Sequence, residues 1–264
     1  MAFSPFVHAE GDPNSASVRP VIATPQISQA PEIDGKMAEG EWNTATVYRF
    51  VSQNSQPKDL LNPREGGFAV GADAENLYIA VRTAVHPTAG VVAQHKPEGK
   101  KDVGDVIHDD SIELWVDNDP KGGGGKYYQI LVNSLGVSLT KMHDRTDGSA
   151  NLWWDSEGLK QAHEVKDGIW TAEFAIPLKD LEIKDLTREI GLRVCRNYKH
   201  AWDQSRWAPG VNAFDSAETM GRFRNVAVGP VVKELGLQDE KGIAVQISVT
   251  NPGSAPLPVK VRLG

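Results

Sequence analysis

The sequence is short of several things, and each shortage removes a class of protein. One of its 264 residues is cysteine, Cys195, so a disulfide framework and a cysteine-built zinc site are excluded. Basic residues are outnumbered, 28 Lys and Arg against 35 Asp and Glu, for a formal net charge of −7. A nucleic-acid grip needs a basic face that displaces counterions from phosphate, and an anionic membrane surface needs the same, so neither partner is expected. No apolar run approaches the roughly 20 residues that span a bilayer, which speaks against membrane insertion. Met1 to Gln29 has neither a basic n-region nor an apolar h-region, so no signal peptide is read there; a mature fragment would look the same.

Catalytic signatures are scarce as well. Gly122 to Gly125 precede a lysine, but Tyr127 stands where a phosphate loop needs Ser or Thr. The histidines show neither HExxH nor a paired ligand spacing, and no GxSxG elbow occurs.

What the chain does have is a globular composition, 40% hydrophobic and 24% charged, with 25 glycines and 16 prolines as punctuation. From Pro20 onward, short β-branched or aromatic runs alternate with turn residues. Strands are predicted over 46–51, 67–72, 76–83, 111–117, 126–133, 137–140, 160–165, 168–177, 190–196, 205–207 and 221–228. Leu77, Ile79 and Val81 alternate with Tyr78, Ala80 and Arg82, the pattern of a half-buried strand. Asp167-Gly168 between two such runs predicts a hairpin. Many short strands without intervening helices imply an all-β fold, a two-sheet antiparallel β-sandwich of jelly-roll type. Residues 1–19 are expected to be a flexible tail and 20–230 the sandwich. Residues 231–264, with strand-like runs at 243–250 and 259–263, are read as the start of a truncated second β module or a C-terminal extension.

Two groups of residues point to chemistry. On a strand over 111–117, Ile112, Leu114 and Val116 face a core, so Glu113, Trp115 and Asp117 share the opposite side. An indole beside a carboxylate suits sugar binding: the ring covers the apolar face of a pyranose while the carboxylate accepts its hydroxyl hydrogens. The alternative is that Trp115 packs under a loop and the acids are solvated. Asp109, Asp110, Asp117 and Asp119 also supply the hard oxygens of a structural Ca²⁺ site, although the EF-hand pattern fails at Lys121 and Tyr128. Of the seven tryptophans, Trp170 alternates with apolar neighbours and reads as core, and Trp42 as a cap on one end of the sandwich. Trp153, Trp154, Trp202 and Trp207 lie in polar, loop-like stretches and suggest a binding surface.

The ordered set Pro31-Glu32-Ile33-Asp34-Gly35, Glu41-Trp42, Asn76 to Val81, Asp109 to Asp117, Tyr127-Tyr128 with Val132-Asn133, and Trp170 to Pro177 resembles the family 9 carbohydrate-binding modules over about residues 20–228. That resemblance implies a two-sheet sandwich, bound calcium and non-catalytic capture of sugars between two tryptophans. Glu113 matches the family's sugar-hydrogen-bonding glutamate and Trp207 its second stacking tryptophan, while Arg193, Cys195 and Asn197 fall on the strand whose outward residues face the sugar. Ile107 stands in place of the first stacking tryptophan and Leu131 in place of the family's arginine; Trp115, Trp153, Trp154 or Trp202 are candidates to substitute. The expected function is a non-catalytic polysaccharide- or oligosaccharide-binding module, secreted, periplasmic or at the cell surface, joined to other modules of a larger polysaccharide-active protein. Alternatives are a lyase or hydrolase domain built on the acids and Arg193/Arg196, a structural spacer, and a heme-binding sandwich using Met142-His143.

Overall fold

The computed structural model describes residues 19–42, 45–49, 51–52, 66–97, 105–121, 124–200, 203–207, 217–227, 229–239 and 242–249. The expected tail before Arg19, Trp202 and the run at 259–263 lie outside them. The strands are β1 (Val21–Pro25), β2 (Thr46–Arg49), β3 (Val51–Ser52), β4 (Gly66–Ala72), β5 (Asn76–Ala84), β6 (Ser111–Asp117), β7 (Lys126–Asn133), β8 (Ser138–Asp144), β9 (Ser149–Trp153), β10 (Lys160–Lys166), β11 (Ile169–Pro177), β12 (Ile190–Tyr198), β13 (Asp203–Arg206), β14 (Gly221–Val226), β15 (Pro230–Asp239) and β16 (Gly242–Val249). Among the described residues the helical elements are two short 3-10 turns, Asp105–His108 and Ala217–Thr219.

The strands form an all-β sandwich. A nine-stranded sheet runs β1-β14-β12-β6-β7-β8-β9, with β13 on β12 and β3 on β13; a five-stranded sheet runs β10-β11-β5-β4-β2. Pairing is antiparallel except between β1 and β14. The Asp167-Gly168 turn forms as predicted, with φ of 50° and 76°, the two left-handed residues that let a tight hairpin match strand twist.

Alternation sets the layers. Phe68, Val70, Leu77, Ile79, Val81, Trp170 and Phe174 from the smaller sheet meet Ile112, Leu114, Val116, Ile130, Val132, Leu192 and Val194 from the larger. Burying each such large apolar side chain contributes about 1.5–3 kcal/mol. Three strands were not legible. β1 is short, β9 is polar (Ser149, Asn151) and is held by β8, and β15 is broken by bulges after Val232 and Leu235. β15 pairs with β16 in a separate hairpin and packs against β2 and β1.

A second, smaller core corrects the place expected for Trp42. Instead of capping an end, Trp42 packs on the outer side of the five-stranded sheet with Ile27, Ala45, Ala69, Tyr78, Ala80 and Ala175. Small alanines make room for it, and Glu173 of β11 anchors it. The Glu173 carboxylate accepts from the Trp42 indole N–H (2.7 Å) and from the backbone N–H groups of Asp34 (3.0 Å), Gly35 (2.6 Å) and Met37 (3.2 Å). Gly35, at φ +87°, passes so close to β10 that a Cβ would sit 2.8 Å from the His163 carbonyl carbon.

His163 supplies a pH prediction. Its ring packs beside Trp170 and Phe174, and desolvation pulls its pKa down to about 4. The unfolded chain binds the proton near pH 6.5 and the folded chain only near 4, so stability is present above pH 6.5 and is lost as pH falls toward 4. Roughly 2–3 kcal/mol is expected to disappear across that window. Urea unfolding at pH 7 and at pH 4.5 checks this: His163→Phe should flatten the difference, and an unchanged pH slope would contradict it.

Candidate functional site

The outer face of the nine-stranded sheet is built by register. One cross-strand row reads Arg206, Cys195, Glu113, Leu131, Leu139, and the next reads Arg193, Trp115, Gln129, Lys141, Trp153. A third reads Gln204, Asn197, Ser111, Asn133. Ala217 and Met220 cover Trp115 and Cys195, while Val106 covers Leu131 and Leu139. Between these two covers lies a polar floor centred on Glu113.

Glu113 is 7% exposed. Its Oε1 accepts from the Trp115 indole N–H at 2.7 Å and from the Gln129 amide at 2.7 Å; its Oε2 accepts from the Asn197 amide at 3.3 Å. Gln204 in turn donates to Asn197 Oδ1 at 2.7 Å, and Asn197 also donates to Ser111 Oγ at 3.1 Å. Gln129, Asn197 and Gln204 are half-buried, so each keeps an edge toward water. A desolvated carboxylate held by side-chain donors keeps a fixed orientation, and the amides around it present both donors and acceptors. Beside it, Tyr127 stacks on His143 at 4.4 Å and 9°, with the Arg145 guanidinium 4.8 Å from the tyrosine ring.

The residues expected at the site separate into two groups. Glu113, Trp115, Asn197 and Arg193 do share the outer face. Trp115 is 2% exposed and Arg193 is fully buried with Nη2 donating to Thr219 Oγ1 at 2.5 Å, so both lie under the covering 217–220 segment at the side of the floor rather than line it. Trp207 and Trp154 do not belong to this face. The Trp207 N–H bonds Val194 O, which gives Trp207 the inward parity of Val194; its ring packs edge-on to Phe68 at 5.6 Å. The ring also lies so close to Gly221 that a Cβ there would come within 2.3 Å of it. The expected juxtaposition of Trp207 with Glu113 is therefore replaced by a sheet between them. Trp154 packs inward against Tyr128 at 4.8 Å, and its indole donates to Asp180 O. Ile107, at the position expected for the other stacking tryptophan, is 60% exposed at the rim.

Gln129, Gln204 and Lys141 were missed. Gln129 left one trace, an amide on the outward parity of β7 between Tyr127 and Leu131. Gln204 left none, because β13 is too short to carry its own period.

The four aspartates expected to hold Ca²⁺ do not converge. Asp109 and Asp110 precede β6 and Asp117 and Asp119 end it, about 20 Å away at the rise of a strand. Asp109 accepts from Gln94 N–H, His95 N–H, His95 Nδ1 and the Asn133 amide; burial opposes its ionisation, but these bonds outweigh burial and hold its pKa below the ordinary value. Asp110 takes Val92 N–H, Lys199 N–H and Arg196, and Asp117 takes both Nη groups of Arg145. Among the described residues no group of three or more His, Cys, Asp or Glu side chains is placed to hold a metal.

Other chemistries fare worse on geometry. Met142 and His143 are successive strand residues and so point to opposite faces, which rules them out as a joint heme clamp. Cys195 is fully buried, and burial followed by the nearby Glu113 raises its thiol pKa well above the usual value, which makes it inert as a nucleophile. A pocket of about 350 Å3 lies beyond the far end of β6, between Asn118 and the 182–190 loop, where Lys121 and Glu189 pair with each other at 2.8 Å.

The molecule is thus an all-β sandwich whose candidate site is an open, polar sheet face. The chain belongs to the family described as carbohydrate family 9 binding domain-like, whose model matches residues 33–225. Solved structures share the fold. A family 9 carbohydrate-binding module from Caldicellulosiruptor kristjanssonii, solved with cellotriose, has 14% identity and a TM-score of 0.52 over 78% of this chain and 93% of its own. The same module has also been solved with glucose, again at 14% identity and a TM-score of 0.52, over 78% of this chain and 95% of that one. A proposed carbohydrate-binding protein from Bacteroides uniformis has 13% identity and a TM-score of 0.58 over 79% of this chain and all of its own. A search of curated proteins returns no significant match. Among the described residues no helix is long and apolar enough to cross a membrane.

Proposed function

We propose that this protein is a non-catalytic carbohydrate-binding module that holds a glycan on the outer face of its nine-stranded sheet. The observation that carries the proposal is the Glu113 carboxylate, nearly buried yet oriented outward and held by Trp115, Gln129 and Asn197. Burying a charge is costly and a core has no use for one there. A fixed acceptor ringed by amides is what pairs with sugar hydroxyls without further ordering cost. Family membership supports the same reading, and the module solved with cellotriose and glucose makes β-glucan oligosaccharides the first probes. On this reading the module acts outside the cytoplasm, joined to other modules of a polysaccharide-active protein, and brings catalytic partners to their substrate.

Calorimetric titration of the folded protein over a panel of oligosaccharides tests this. Binding is expected to at least one glycan, and Glu113→Gln should weaken it by roughly 10- to 100-fold, the scale of a hydrogen bond to a charged group. Silence across the panel would sink the proposal. It would leave the structural-spacer reading, which the burial of Trp207 favours.

A further inference from the structure

The row that passes through Gln129 continues to the sheet edge, where two side chains have no structural duty. Trp153 on β9 is 67% exposed, more than any other large apolar side chain among the described residues. Edge strands are ordinarily guarded by charge rather than by an open indole, and a free aromatic plane in water marks a contact surface. Lys141 lies directly between Gln129 and Trp153, cross-strand neighbour to both. Its stem is half-buried, and among the described residues it enters no ion pair, in a chain with a net charge of −7.

We infer that Lys141 and Trp153 form an outer subsite for an acidic sugar residue, a uronate, within an oligosaccharide that runs across the strands toward Gln129 and Glu113. The inference rests on the sugar-binding reading of this face and adds the class of glycan and its direction. Adjacent strands are about 4.8 Å apart, close to the length of one pyranose unit, so successive rings of a glycan perpendicular to the strands meet successive residues of the row. A ring stacked on Trp153 has its sheet-side rim at Lys141, whose ammonium then meets a C6 carboxylate. Units further along reach the Gln129 amide and the Glu113 carboxylate, which take hydroxyls. An acidic substituent at the Glu113 end would meet like charge, so the polarity of the row also fixes where the uronate sits.

The test uses matched trisaccharides that differ only in a single C6 oxidation at one chain end: cellotriose against the β-1,4-linked trisaccharide with one terminal glucuronate, and the corresponding neutral and singly oxidised pair of the α-1,4-galacto series. The uronate form of the bound series is expected to bind roughly three- to tenfold tighter at low salt, the scale of a partly exposed ion pair, and to lose that advantage in high salt. Lys141→Gln should abolish the preference while leaving the neutral trisaccharide within twofold. Trp153→Ala should weaken both forms and remove a blue shift of tryptophan emission on binding. Equal affinity for both forms, or a preference that survives Lys141→Gln, overturns the inference while the sugar-binding reading stands. Binding of neither form in either series overturns both.

Discussion

Replacing Glu173 with alanine is expected to lower the unfolding free energy by roughly 3–5 kcal/mol, the cost of stranding the partners of a buried charge. Four N–H donors, from Asp34, Gly35, Met37 and Trp42, converge on this carboxylate. The wall around them is apolar, made of Ala69, Ala80 and Ala175, so removing the acceptor leaves them without a partner. Each buried donor left unmade costs about 1–3 kcal/mol, and relaxation of the 33–42 loop toward water recovers part of the sum. The urea midpoint should fall with little change in slope. Glu173→Gln, which keeps one acceptor oxygen but adds a competing amide, should fall between. A loss below about 1 kcal/mol for the alanine variant would show that the loop is held by Trp42 packing instead.

Asp110→Ala is expected to cost a similar 3–5 kcal/mol. Its carboxylate accepts from Val92 N–H at 2.7 Å, Lys199 N–H at 2.8 Å and Arg196 Nη1 at 3.2 Å. Side-chain exposure is 5% for Asp110 and 1% for Arg196, so the guanidinium, which also donates to the Asn197 carbonyl, would lose this carboxylate while staying buried between Trp170 and Tyr198. Because part of the loss comes from keeping the guanidinium buried without Asp110, Arg196→Met in the Asp110→Ala background should cost less than the two single losses added together. Additive losses would mean the two side chains act independently. Asp110 also ties the 92–95 segment and the end of β12 to the start of β6, so glycan affinity should fall in the same variant even where it remains folded.

Much of this was legible in the amino-acid order, and the boundary is a physical one. Period-two alternation in β5, β6, β7 and β11 assigns inward and outward residues without reference to any neighbour, so the sandwich, its core and the outward Glu113 and Trp115 could all be read. The same holds for the Asp167-Gly168 turn. Trp207 could not be placed, because β13 is four residues long and its parity comes only from its register on β12; a slip of one residue moves the ring to the other face. Trp153 and Trp154 are adjacent and so point oppositely, but which one is outward depends on pairing with β8. The aspartates looked clustered because they are close in sequence, whereas an extended strand separates residues that a loop would bring together. The donors to Glu113 come from β6, β7 and β12, with Gln204 of β13 bonded behind Asn197, and their meeting is a property of the folded sheet.

The central claim is that sugar is held on the outer side of the nine-stranded sheet, around Glu113. A two-dimensional ¹⁵N NMR titration with the glycan that binds best in calorimetry tests it most directly. The side-chain amide signals of Gln129, Asn197 and Gln204 and the indole N–H of Trp115 should shift together and saturate with the calorimetric affinity. Shifts confined to the five-stranded sheet or to the Trp42 loop, with those amides unmoved, would contradict it.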